Sequence, residues 1–380
     1  MIDGMFVMNG VVHPFNASWS NIRDPNTVQG RSFYERIALY HKKFAPDNEY
    51  RLSPDEYCTD HSVEALAHAL FAESPCDMAV VHSIPLYDFF KDGLVAWEKG
   101  VDMKRRYPNR VLHYGRLVTL DVTKALADLE FQIKEHGVDG FKIYPATYYE
   151  GRTIAWKMDD PRMAYPLYER ALKLGVRNFA VHKAHPFGPT QTQAYRVEDV
   201  EEAASLFPDI NFQIVHAGML FVEETAALLA RFPNVYGNME ISWSYLNNHP
   251  RLFAEALGRM LLWASPDKII FGDGCTTQHS RPTLEKFIDF QFPQDLIEEY
   301  GVPPLTREHK AKILGLNMAK LHGIDVEQAL GKIGGDEFEK LKHAGYQPPW
   351  SVIRRDYREK GSPPRHAESR REFTEVGGRV

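Results

Sequence analysis

The sequence predicts an α/β fold of the TIM (β/α)8 barrel class, and three observations carry that prediction. Eight short apolar or β-branched runs alternate with longer amphipathic stretches, the pattern of a parallel sheet wrapped by helices. Ionisable side chains fall at the C-terminal ends of several of these runs, where a parallel barrel gathers its chemistry. A chain of 380 residues suffices for one large barrel, since barrels commonly run past about 250 residues undivided.

The expected strands are Phe6 to His13, Met78 to Ile84, Val111 to Leu120, Gly140 to Tyr144, Asn178 to His182, Phe212 to His216, Val235 to Ile241 and Lys268 to Asp273. Between them, Asp121 to Gly137 reads as a helix, with apolar Leu126, Leu129, Phe131 and Ile133 and a terminating glycine. Asp159 to Gly175 reads the same way. The stretch from Asn16 to about Pro75 is too long for a simple crossover and is expected to form an insertion over the barrel mouth after strand one. Residues 1–325 are therefore assigned to the barrel. Residues 326–380 lose periodicity and gain Gly, Pro and charge, so they are expected to form an extended C-terminal tail, mobile or laid over a partner.

Composition narrows the function classes. A hydrophobic share of 44% and a charged share of 25% are those of an ordinary globular chain with a sizeable core. The net charge of −6 is spread along the sequence and provides no basic field for nucleic acid, so a small-molecule substrate is the expected partner. Cys58, Cys76 and Cys275 are odd in number and form no C-x-x-C pair, which argues against a disulfide framework or a thiolate zinc site. No apolar stretch approaches the roughly 18 residues of a membrane span, so the expectation is a cytoplasmic enzyme with no membrane partner, forming a homo-oligomer.

The chemistry is carried by four positions. His13 ends the first run, His182 the fifth, His216 the sixth and Asp273 the eighth, and a barrel brings those ends to one face. Imidazole and carboxylate suit a divalent ion: zinc first, with manganese, cobalt or iron as alternatives. Such a site leaves coordination positions open for water and substrate. An imidazole beside it that is not a ligand can shuttle protons, and His216 is the candidate. Each of these residues taken singly is as well explained by a structural hydrogen bond; the joint pattern is what points to a site.

The motifs GFKIYP, AVHKAHPFG, IVHAGML, NVYGNMEIS and IIFGD, followed by the closing helix LTREHKAKILGLNMAKLHGI with Asn317, resemble the amidohydrolase superfamily. The likeness is to the branch containing aminocarboxymuconate semialdehyde decarboxylase and the resorcylate and carboxyvanillate decarboxylases, and it covers roughly Met5 to Asp325. It implies His13, His182 and Asp273 as metal ligands, with His216, and Asp273 with it, as the catalytic groups. Two departures stand out. The first strand of this family offers Asp-x-His-x-His or Asp-x-Glu-x-His, but here the run from Asn9 to His13 puts Val11 where a first ligand is expected. On strand eight Gly274 takes the usual place of the aspartate, so Asp273 needs a local bulge to regain its aim.

Second-rank candidates for binding substrate are Lys142, His185, Glu240, Trp243 and Arg281. Lys142 is read evenly as a carboxylate binder, carbamylated or not, and as a salt-bridged structural lysine; Glu240 is expected to pair with a ligand or with Arg281. His82 reads as a core histidine more readily than a pocket residue. Trp19, Tyr148, Tyr149, Trp156, Trp243 and Tyr245 are expected at the mouth, where they would suit a flat aromatic substrate as well as they would pack the insertion. The resemblance implies cleavage of a carbon–carbon bond, by decarboxylation or hydrolysis, in an aromatic or conjugated carboxylate or β-keto substrate. The alternatives are a hydroxyphenyl β-ketoacyl thioester hydrolase, an amide or lactone hydrolase, and a non-catalytic ligand-binding barrel with a degenerate metal site.

Overall fold

The computed structural model describes residues 1–46, 49–118 and 121–360. Eight parallel strands form one nearly closed sheet: β1 (Met8–Val12), β2 (Met78–His82), β3 (Val111–Leu117), β4 (Gly140–Ile143), β7 (Asn178–His182), β8 (Asn211–Val215), β9 (Val235–Asn238) and β10 (Ile269–Ile270), joined in that order. The remaining two strands, β5 (Ala146–Tyr149) and β6 (Arg152–Ala155), make an antiparallel hairpin after β4. All eight expected strands are present. The expected end of the third, at Leu120, lies outside the described residues.

Side chains alternate between two clusters, as a pleated strand requires. Val81, Phe141, Ile143, Phe179, Val181, Phe212 and Ile214 join the larger core between sheet and helices. Met8, Val80, Tyr114, Ala180, Val215 and Ile270 fill the barrel interior. The helix expected over Asp121 to Gly137 spans Val122–His136; Asp121 caps it by accepting from the Thr123 and Lys124 amides, and Gly137 ends it at φ 58°. In the second expected stretch only Ala164–Lys173 is helical.

The eighth strand is far shorter than its sequence run. Ile269 and Ile270 pair regularly with β9, and beyond them closure onto β1 relies on single hydrogen bonds. The Gly10 amide donates to Phe271 O (2.8 Å), and the Gly274 amide donates to Val11 O (3.0 Å). Asn317 on the closing helix steadies this strand, its Nδ2 donating to Pro266 O and Ile269 O at 2.8 Å each.

The insertion after β1 is built from helices Val28–Phe44, Pro54–Tyr57 and Val63–Phe71 and is tied to the loop after β10. His41 Nδ1 reaches Thr277 O (2.9 Å) and its Nε2 accepts from the Leu52 amide (2.8 Å). The C-terminal stretch expected to be extended is, as far as Lys360, three helices packed on the barrel: Val326–Ile333, Glu337–His343 and Ser351–Lys360. Phe338, Trp350, Val352 and Ile353 are buried, enough apolar surface to dock them. The rest of the expected tail, 361–380, lies outside the described residues. No helix among the described residues is long and apolar enough to cross a membrane.

Glu73 is the anchor of this C-terminal segment. Its buried carboxylate accepts from the amides of Trp350 (2.7 Å) and Ser351 (2.9 Å), from Ser351 Oγ (2.5 Å) and from His279 Nε2 (3.1 Å). Glu73→Ala strands these donors, and an unpaired buried group costs about 1–3 kcal/mol. We expect a loss of about 3 kcal/mol in urea unfolding, with the segment around Trp350 becoming the first site of proteolysis.

Candidate active site

The side chains of His13, Lys142, His182, His185, His216 and Glu240 meet in one cavity at the C-terminal face of the barrel. It has a free volume of about 90 Å³, and Phe15, Ile84, Leu86, Leu94, Tyr144 and Phe187 wall it with apolar surface. Arg36, Ile37 and Tyr40 from the first insertion helix stand at its mouth. The Tyr144 ring stacks on His182, centroids 4.5 Å apart.

Strand alternation explains most of this convergence. Lys142 sits between two outward residues, Phe141 and Ile143, and pairs in register with inward Ala180. His182 follows outward Val181 and therefore faces in. His216 follows inward Val215 and by strict alternation would point out; instead its backbone turns left-handed, φ 70°, and returns the ring to the cavity. Ala184 (φ 56°) and Ile241 (φ 63°) are left-handed as well. Three strained non-glycine residues just beyond β7, β8 and β9 mark this rim as shaped for function rather than for stability.

The imidazoles form an ordered chain whose protons can be placed. His182 Nε2 lies 2.7 Å from His185 O, which only accepts, so Nε2 carries the hydrogen. Burial holds the His182 pKa well below its usual value, so the ring is neutral and Nδ1 is a bare acceptor. His216 Nε2, 2.9 Å away, must then donate to it. That leaves His216 Nδ1 facing Glu240 Oε2 at 2.5 Å, in close contact but not in line for a regular hydrogen bond. Lone pair against carboxylate would repel, so one proton is held between these two groups. Burial raises the carboxyl pKa of Glu240 and lowers that of His216, so the proton is best placed on Glu240.

His13 is poised differently. Its Nδ1 contacts His82 O (3.2 Å), which leaves Nε2 bare and 3.9 Å from Glu240 Oε1. Its pKa is lowered to about 4 by burial, against the attraction of Glu240. Lys142 is buried, and no hydrogen bond or ion pair to its Nζ is formed among the described residues; burial lowers its pKa to about 7, with Glu240 opposing.

The structure also relocates several expected residues. Asp273 faces away from the cavity and accepts from Asn9 Nδ2 (2.7 Å) and the Cys275 amide (3.0 Å), so the anticipated bulge does not restore its aim. Burial raises its pKa to about 6 against hydrogen bonds from Asn9 and Ser280. Gly274 occupies the inward position, and a Cβ there would meet Glu240 Oε1 at 2.2 Å: the Glu240 carboxylate fills the space an aspartate side chain would have taken. Trp243 is core, packed on Phe253, Phe271 and Phe287. Arg281 lies outside the cavity, paired with Glu285 and stacked over Tyr346, so Glu240 pairs with His216 instead. His82 is a core residue stacked on Tyr114.

Of the expected mouth aromatics, Trp156 and Tyr148 line neighbouring depressions. The aromatics of the cavity itself, Phe15, Tyr40, Tyr57, Tyr144 and Phe187, went unremarked in the sequence. Tyr144 had a signal: it lies two residues after Lys142 in GFKIYP and shares its face.

The family model described as amidohydrolase matches residues 56–324. The chain belongs to the amidohydrolase family. This amidohydrolase is similar in fold to an uncharacterised TIM-barrel protein from Bordetella bronchiseptica, with a TM-score of 0.61 and 19% identity over 86% of this chain and 99% of that one. It is also similar to 4-oxalomesaconate hydratase from Rhodopseudomonas palustris, with a TM-score of 0.50 and 15% identity over 89% and 100%. A third likeness is to 5-carboxyvanillate decarboxylase from Novosphingobium aromaticivorans solved with bound manganese, with a TM-score of 0.51 and 11% identity over 84% and 98%. No curated protein is matched by sequence. The family is one of enzymes, named for hydrolases.

Relatives in the family are metal-dependent, which sets a test for the donors of this amidohydrolase. They do not fit. Both nitrogens of His182 and both of His216 are engaged, Asp273 is turned away, and apolar Val11 fills the barrel interior. His13 Nε2, Glu240 Oε1 and the His185 ring remain in the cavity, but they are not placed to share one ion, and a catalytic site needs three protein ligands that converge. Among the described residues no group of three His, Cys, Asp or Glu is placed to hold an ion.

Two predictions follow from this geometry. Gly274→Ala forces a side chain into a left-handed position and against Glu240, so turnover should fall by more than about tenfold, each 1.4 kcal/mol of misplacement being tenfold, while circular dichroism is unchanged. The second concerns acid. His13 and His41 are lowered to about 4, and His61, His113 and His322 to about 3, chiefly by burial. Between those values and 6.5 the unfolded chain binds more protons than the folded one, so stability rises with pH there and is lost as pH falls from 6.5 towards 4. Asp273, raised to about 6, and Glu240, also raised by burial, act oppositely but are outnumbered by the lowered imidazoles. The urea midpoint should drop between pH 7 and pH 5; a rise would contradict the placement of these rings.

Proposed function

We propose that this enzyme cleaves a carbon–carbon bond next to a carbonyl, by decarboxylation or hydrolysis, in a small β-keto or conjugated carboxylate substrate. The observation that carries the reading is the 2.5 Å contact of Glu240 Oε2 with His216 Nδ1 beside the buried Lys142 amine, in one apolar cavity. Breaking such a bond leaves an electron pair conjugated to an oxygen. Lys142, the one lysine lining the cavity among the described residues, offers its amine to that oxygen. Glu240, His216 and His182 form the proton path, and His13 Nε2 is a second base on the same wall. Phe15, Leu86, Tyr144 and Phe187 exclude water and suit a flat conjugated substrate. No step is routed through zinc or another metal, since the donors present do not assemble a site for one.

The reading is tested by offering aryl carboxylates, β-keto acids and β-ketoacyl thioesters, and measuring released carbon dioxide against released acid. Glu240→Gln removes the ionisable proton store while keeping the shape, and general acid–base groups contribute about 10²–10⁴-fold. We expect kcat to fall by at least about 100-fold with KM little changed. Full activity in that variant, or amide hydrolysis as the sole reaction, would refute the assignment.

A further inference from the structure

The lysine itself is the least explained feature of the cavity. Other buried lysines are capped: Lys183 Nζ lies 2.8 Å from the Asp199 carboxylate, and Lys310 Nζ donates to Ile288 O at 2.5 Å. Lys142 has no such partner among the described residues, and its Nζ lies over the Tyr144 ring, 5.6 Å from the centroid. A structural lysine is held by an acceptor; this one faces open space among catalytic groups. Its stem is fixed by the strand, with Phe141 and Ile143 locked in the core on either side.

We propose that Lys142 is a covalent catalyst, whose amine condenses with the ketone of a 3-oxoacid to form an iminium that draws in the electron pair of the breaking carbon–carbon bond. The inference rests on the β-keto reading above. It also answers the disagreement between the family's metal dependence and the donors of this chain, because an iminium is an electron sink that needs no ion.

The steps balance. The Nζ lone pair attacks the ketone carbon, a C–N bond forms, and the carbonyl oxygen takes two protons and leaves as water, giving the iminium. The bond from the α-carbon to the carboxylate then breaks, carbon dioxide departs, and its electron pair forms the C=C bond of an enamine. The α-carbon is reprotonated, with the proton on Glu240 and His216 at hand to supply it. Water adds to the resulting iminium, releasing the ketone and the free amine. The sum is the 3-oxoacid anion plus one proton going to ketone plus carbon dioxide. Condensation requires a neutral amine, and burial favours that form of Lys142.

The experiment incubates the full chain with benzoylacetate, adds sodium borohydride, and maps the adduct by peptide mass spectrometry. The expected result is a reduced, stable adduct on the peptide carrying Lys142, formed only when probe and borohydride are both present. Lys142→Arg, which keeps the charge but cannot form the imine, is expected to lose both the adduct and carbon dioxide release. Absence of an adduct on Lys142 in the native chain overturns the proposal, whatever the variant does. If carbon dioxide is still released in that case, carbon–carbon cleavage stands and only the covalent role falls. An adduct on Lys142 without release of carbon dioxide supports the amine's reactivity and counts against decarboxylation.

Discussion

Closure of the barrel between β1 and β10 is the constraint on which the site depends, because only two residues of β10 pair regularly and the catalytic ends of the sheet must still be held together. Glycines make the approach feasible. A Cβ on Gly10 would lie 2.9 Å from Phe271 O, and one on Gly272 3.1 Å from the Val11 nitrogen. Beyond this seam the strands give way to a loop that side chains must hold. Thr276 Oγ1 donates to His13 O (3.1 Å) and contacts His61 Nδ1 (3.0 Å), while His41 grips Thr277. The insertion thus does more than roof the cavity: it pins the loop that pins His13.

The same seam explains what became of the expected aspartate. Offset by one position, Asp273 faces the opposite side of the strand, where Asn9 meets it and the pair ties β10 to β1. A carboxylate that would serve chemistry in one register serves closure in the other. The vacated inward position is glycine, and Glu240 from the neighbouring strand reaches into it. The cavity therefore keeps a buried carboxyl group, supplied from beyond a different strand and placed against His216 rather than in a ring of ligands.

This accounts for how much was legible in the sequence. Strand order and the C-terminal positions of His13, Lys142, His182 and His216 followed from the apolar runs, since the end of each run fixes height, while the face of His216 depends on its left-handed backbone and did not. What escaped depended on single-residue offsets or on space left by an absent side chain. The filling of the Gly274 space by Glu240 has no pattern in one dimension. Trp243 was misplaced because the turn after β9 carries it into the core between Phe253 and Phe287. The C-terminal helices were missed because each is short, of 8, 7 and 10 residues, and docks through one or two large side chains such as Phe338 and Trp350 rather than a periodic face.

A cavity with one carboxylate, one amine and a line of neutral imidazoles behaves differently from one built around an ion. A divalent ion would fix deprotonated ligands and draw the His182 and His216 nitrogens to itself; here those nitrogens bond to each other and to a backbone carbonyl. Low polarity works in the same direction. It makes every separated charge costly, and so drives Lys142 towards its neutral form and Glu240 towards its protonated one. A substrate that enters with its own carboxylate changes that balance, and the charge it brings is lost again when carbon dioxide leaves. The energetic asymmetry favours a reaction that removes a buried negative charge, which is why the apolar walls belong to the chemistry as much as the ionisable groups do.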